Sequence, residues 1–215
     1  MLNWLFQIIK ILLLLILPFI ILIRGAVYFY LAHDLPTWMA LIGGIGGTIL
    51  ILVLYFSFFY GRITGKIGNL GSFKRRSYLA AILVAGYCIH GLLFFSSSNA
   101  KSADVRAGFN KVHPILRLGA STLVHLDRDL LITDTDRVPE DYRKMGLPTK
   151  RHSLHYQQSN GFVHAIDIRT KGHSETRNFF LKTYFQMMGF NTLRHVGTDD
   201  HLHVSLKSKD LPGSI

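Results

Sequence analysis

Three stretches of this chain, roughly residues 4–23, 37–60 and 78–95, are almost wholly apolar. A helix needs about 20 such residues to cross the hydrocarbon of a bilayer, so each stretch is read as a membrane-spanning helix, the third at the short end of the range. The first contains Lys10 and Pro18. Its apolar run is too long for a signal peptide, and no small-x-small cleavage site follows before Arg24, so it is read as a retained helix. Lys10 can snorkel toward the headgroups. Within the second stretch, Gly43 and Gly47 stand four apart in Gly-Gly-Ile-Gly-Gly, a spacing that lets another helix approach closely. Packing among these three helices fits that spacing, and so does contact with a second copy or a membrane partner.

Beyond residue 95 the pattern changes. Residues 96–104 are small and polar and read as a linker. Over 104–118, Val105, Phe109, Val112, Ile115 and Leu116 fall near helical spacing, interrupted by Pro114. Residues 121–125 and 129–133 look like strands. Residues 137–145 read as a short helix, with Pro139, Glu140 and Asp141 early and Arg143 and Lys144 late, in keeping with the helix dipole. A strand over 161–169, a helix over 176–188 stopped by Gly189, and a hairpin of 191–195 with 201–206 complete the order. The predicted fold class is α+β: a small antiparallel-sheet domain following three N-terminal transmembrane helices. The predicted division is 1–95 membrane, 96–104 linker and 105–215 domain.

Charge adds a topology. The 215 residues carry a net charge of +11. Residues 1–100 hold seven Lys/Arg against the single acid Asp34, and the remainder holds seventeen against twelve. Arg62, Lys66, Lys74, Arg75 and Arg76 lie together between the second and third apolar stretches, with no acid among them. Positive loops stay in the cytoplasm. The N-terminus is therefore expected inside and the C-terminal domain outside the cytoplasmic membrane. The basic residues are not interleaved with aromatics and form no nucleic-acid motif, so no nucleic-acid partner is expected. The only cysteine, Cys88, excludes an intrachain disulfide and a cysteine-rich zinc site.

Any metal must then be held by His and Asp/Glu, and nine of the eleven histidines follow residue 100. Alternate side chains of a strand share a face. His201 and His203 therefore point together, while Leu202 and Val204 point to the core. Val163, Ala165 and Asp167 share a face, and His164 points to the other. If Asp167 is a ligand, His164 is not, and His155 supplies a third ligand from the segment entering that strand. Two imidazoles and one carboxylate would make an open zinc site. Asp200 would act as general base beside it. Surface or core histidines in a histidine-rich domain are the plain alternative.

Ser153-Leu154-His155, then Ala165-Ile166-Asp167-Ile168, then Asp200-His201-Leu202-His203-Val204 resemble the M15 peptidase family. Its members are D-alanyl-D-alanine carboxypeptidases, dipeptidases and endopeptidases of bacterial walls and phage lysins. Upstream, Ile132-Thr133-Asp134-Thr135-Asp136-Arg137 is similar to the family's Ile-Thr-Ser-Gly-Tyr-Arg element. The likeness covers about residues 113–206. It implies His155, Asp167 and His203 as Zn2+ ligands, Asp200 as catalytic base and Arg137 as the substrate-binding residue. It also implies a metallopeptidase, a hydrolase acting on peptidoglycan peptides, here fixed to a lipid bilayer. Eleven residues separate His155 from Asp167, where the family usually has six. A wall-peptide-binding module without catalysis is the alternative, and a surface salt bridge to Asp134 or Glu140 is the alternative for Arg137.

Overall fold

The computed structural model describes residues 2–65, 69–144, 146, 148–149, 152–197, 199–211 and 213–214. The side chain of Lys10, and the positions Lys66, Met145 and Thr198 used in the sequence reading, lie outside that set. The chain divides into two compact units, Met1–Ile89 and His90–Ile215.

Helices α1 (Leu2–Ala32), α2 (Thr37–Thr64) and α3 (Leu70–Leu93) are each long and apolar enough to span a membrane. A Cβ on Gly44 would lie 2.3 Å from the Leu22 carbonyl oxygen of α1, and one on Gly43 would strike the Phe29 ring. Gly47 meets Ile21 at ordinary contact distance. The glycine spacing therefore serves the approach of α1 and α2 within one chain. Thr48 Oγ1 donates to the Gly44 carbonyl at 2.8 Å, satisfying its hydroxyl in apolar surroundings. Gly65 ends α2 in the left-handed conformation, its N–H bonding the Gly61 carbonyl.

In the second unit, α4 (Ala103–Gly108) and α5 (Pro114–Leu126) flank a 3-10 turn at Phe109–Lys111. Strand β1 (Ile132–Asp134) and helix α6 (Pro139–Lys144) follow. Strand β2 (Ala165–Arg169), helix α7 (Glu175–Met188) and the hairpin of β3 (Asn191–His195) and β4 (His201–Ser205) complete the unit. The sheet is antiparallel throughout, in the order β1-β2-β4-β3. The α+β class with three preceding apolar helices is therefore observed.

Two strands are shorter than the sequence reading had them, β1 starting at Ile132 and not 129, and β2 at Ala165 and not 161, and two segments differ in kind. Residues 121–125 are helical, the second half of α5, and not a strand. Pro114 opens this helix at its first position, where it needs no N–H partner. Thr122 Oγ1 bonds back to the Leu118 carbonyl at 2.8 Å, and Ser121 Oγ bonds the Gly91 carbonyl at 2.7 Å. Their hydroxyls are thus satisfied inside a helix, and burial of Ile115, Leu116, Leu118 and Ala120 outweighs the β-propensity of the Ser-Thr-Leu-Val run. Residues 96–104 are also more than a linker. Asn99 is buried and donates to the carbonyls of Arg128 and Leu130, and Ala100 bridges to Ile132.

Ile166 and Ile168 of β2 and Leu202 and Val204 of β4 are fully buried on one face of the sheet. The core also takes in Leu181, Phe185 and Met188 of α7. Tyr184 Oη ties α7 to the Gly119 carbonyl of α5 at 2.7 Å. The other face of the sheet carries the polar side chains described next.

Candidate metal centre

Asp167 and His203 are direct partners in the β2–β4 register. Period-2 alternation turns both side chains to the same face. His155 reaches them from the segment between α6 and β2, which is fastened at several points. The Leu154 carbonyl accepts from His164 N, and the His155 carbonyl accepts from Arg137 N. Ser153 Oγ meets Tyr142 Oη at 2.9 Å and accepts from His155 N at 3.2 Å. All three side chains are buried: His155 is 3%, Asp167 2% and His203 8% exposed.

His155 Nε2 lies 3.2 Å from His203 Nδ1 and 3.3 Å from Asp167 Oδ1, and His203 Nδ1 lies 2.9 Å from Asp167 Oδ1. A tetrahedral ion about 2.0–2.1 Å from each ligand keeps its ligand atoms roughly 3.3–3.4 Å apart, close to the triangle observed. The ring orientation of His155 fits as well. Its Nδ1 lies 2.6 Å from the Thr135 carbonyl, which only an N–H can satisfy, so its Nε2 presents a lone pair to the cluster. A carboxylate oxygen and two imidazole nitrogens at this range can share either a proton or a metal cation. The three residues could therefore hold a metal ion.

Burial alone would raise the Asp167 carboxyl, but His155 and His203 outweigh it and hold the group well below the usual carboxylate range. The second carboxylate oxygen is not left bare. Arg137 donates from one terminal nitrogen to Asp167 Oδ2 and from Nε to Asp134 Oδ2, both at 2.7 Å. The guanidinium also lies 5.4 Å from the centroid of the Tyr142 ring. Asp134 is thus a partner of Arg137, as the plain reading had it, but Glu140 is not: it pairs with Arg143. Arg137 in addition grips a residue of the cluster itself. A cavity of about 220 Å³ opens over the cluster, and Arg137, Tyr142, His195 and His201 are among the residues lining it.

Asp200 stands elsewhere. It has the same parity as Leu202 and Val204, so its carboxylate points to the opposite face of the sheet from His203. There it accepts from Thr170 Oγ1 at 2.6 Å and from Arg194 at 2.8 and 3.1 Å. Arg194 is shared with Glu175 at the start of α7. Hydrogen bonds from Arg194 and Thr170 pull the Asp200 carboxyl down to about 2. The structure does not bring Asp200 into the cavity with His155, Asp167 and His203.

His164 also points away, as alternation requires. Its ring meets Asn160 Nδ2 at 2.9 Å and the Leu206 carbonyl at 3.3 Å. The sequence reading gave no site role to Tyr142, His195 or His201. His201 turns Nε2 toward Asp167, 3.8 Å from Oδ2, while Nδ1 takes the Asp199 carbonyl at 2.7 Å. Its shared parity with His203 was a legible sign. His195 is placed by pairing with His201 across the hairpin, which needs the register. No known protein family, curated protein or solved structure matches the chain.

Proposed function

We propose that this protein is a membrane-anchored zinc peptidase acting on peptide stems of peptidoglycan at the outer side of the cytoplasmic membrane. The observation that carries the reading is the buried triangle of His155, Asp167 and His203, beside a cavity that also presents Arg137. Two imidazoles and one carboxylate from protein suit zinc and leave a position open. When bound there, zinc would supply a Lewis acid for a peptide carbonyl and an activated water.

The protein's own groups have separate tasks. Thr135 fixes the tautomer of His155. Arg137 orients Asp167 and offers its remaining nitrogen, 3.4 Å from Tyr142 Oη, on the side of the cavity. There it can take the carboxylate of a peptide stem. The basic segment between α2 and α3 keeps that side in the cytoplasm, which puts the second unit where wall peptides are. The net positive charge suits an anionic wall polymer.

A second reading is favoured by Asp200. A carboxylate committed to Arg194 and Thr170 is poorly placed to take a proton from water, so the domain would hold its metal and bind wall peptides without cutting them. Purified full-length protein, loaded with zinc and given a defined muropeptide, tests both. Hydrolysis supports the peptidase. Saturable binding without cleavage supports the binding module. Absence of bound metal and of peptide binding overturns both.

A further inference from the structure

A second pocket in the same unit is lined by residues between His90 and Arg128, apart along the chain from the metal cluster. It is a cavity of about 370 Å³ between the end of α3 and the face of α5. Its polar wall includes Arg128, His90, His125, Ser96, Ser98 and Asn99, with Ser121 turned to the Gly91 carbonyl. No acid lines it.

The charge in this pocket is uncommitted. Arg128 is exposed, and its guanidinium forms no ion pair or hydrogen bond among the described residues. The helix-end carbonyls that would otherwise compete for it already have donors. Gly91 receives Ser121 Oγ, Leu92 receives Arg117, and His90 receives Phe94 N. Arg117 is not in the lining and is held by the carbonyls of Leu92 and Asn110, so Arg128 is the guanidinium the pocket presents. The rings of His90 and His125 lie side by side, 4.9 Å between centroids. Ser96 and Ser98 hold their hydroxyls 2.8 Å apart on the same wall.

The rim is of the opposite character. Phe94 in the lining is 66% exposed, and Leu93 and Leu126, next to lining residues in the chain, are 75% and 78% exposed. Leu93 is the last residue of α3, a helix apolar enough to span a membrane. Cationic and hydroxyl groups within an apolar rim, at the point where a span emerges, match the boundary between headgroups and acyl chains.

We propose that this pocket binds a phosphate group, with Arg128 as its principal ligand and the hydroxyls of Ser96 and Ser98 completing it. The phosphate can come from a phospholipid headgroup or from free inorganic phosphate, and the test separates the two. Full-length protein with isotope-labelled histidine is prepared in a phosphate-free maltoside detergent. It is then titrated with phosphatidylglycerol in one arm and inorganic phosphate in the other. The His125 ring signal is followed in the wild type, Arg128→Gln and Arg128→Lys.

A saturable shift with phosphatidylglycerol, weakened at least about tenfold in Arg128→Gln and less in Arg128→Lys, supports the site and makes the lipid its source. The same pattern with inorganic phosphate alone supports the site and makes the free ion its source. No shift in either arm overturns the proposal. A lipid shift equal in wild type and Arg128→Gln also overturns it, since the lipid is then held elsewhere. Because Arg128 is exposed and unpaired, both variants are expected to fold, and the remaining histidine signals report this directly.

Discussion

At Asp167 one carboxylate serves two partners. Oδ1 faces the histidines and Oδ2 faces Arg137. Arg137 therefore fixes the orientation of Asp167, the carboxylate of the cluster. A lysine cannot reproduce a fork that reaches Asp134 and Asp167 together. Arg137→Lys is expected to weaken zinc affinity by about 10–100-fold, the usual effect of losing a partner of a metal ligand. Competition with a chromogenic chelator measures this, and unchanged affinity would remove Arg137 from that role. His164→Ala, by contrast, is expected to keep full metal stoichiometry, because the ring faces Asn160 and Leu206. Loss of metal in that variant, with folding intact, would count against the ligand set. The grouping of His155, Asp167 and His203 was expected from strand alternation together with the resemblance carried by Ser153-Leu154-His155, Ala165-Ile166-Asp167 and His201-Leu202-His203, and the fold brings these three side chains together. Asp200 was expected beside the zinc; carried back from Leu202 and Val204, the same alternation turns it to the face opposite His203. The clasp that engages it, Arg194 and Thr170, comes from β3 and from the residue after β2. Only the folded sheet brings those together.

At the scale of elements, the clasp around Asp200 joins the end of β2, the β3–β4 hairpin and the start of α7. Its pH dependence has a definite sign. An unfolded Asp titrates near about 3.9, and the folded carboxyl is depressed to about 2. The contribution is therefore fully present above about pH 4 and is lost as pH falls toward about 2. Wild type should melt at a higher temperature than Asp200→Asn at about pH 6, and the gap should close on acidification to about pH 2. A gap that persists at low pH would show that the carboxylate's charge is not what the clasp uses. The hairpin, β2 and α7 were readable from periodicity and turn residues such as Gly189. Residues 121–125 were not. Their side chains favour a strand, and the decisive facts, hydroxyls bonding the Leu118 and Gly91 carbonyls, belong to the tertiary structure. Likewise 96–104 reads as a linker until Asn99 is seen holding two carbonyls.

For the whole molecule, the three spans were the plainest feature of the sequence, since about 20 apolar residues have few other uses. Their orientation rests on charge. On the proposed orientation, with the basic segment in the cytoplasm, a C-terminal alkaline phosphatase fusion should be active and a C-terminal green fluorescent protein fusion dark. The reverse pattern would place the domain in the cytoplasm and remove wall peptides as substrates.

The central claim is that His155, Asp167 and His203 hold zinc. Elemental analysis of the purified full-length protein tests it most directly. About one zinc ion per chain is predicted for the wild type, falling to background in His155→Ala and His203→Ala while both variants remain folded, because a site with three protein ligands does not survive loss of one. A wild-type protein without metal, or ligand variants that keep it, would contradict the account.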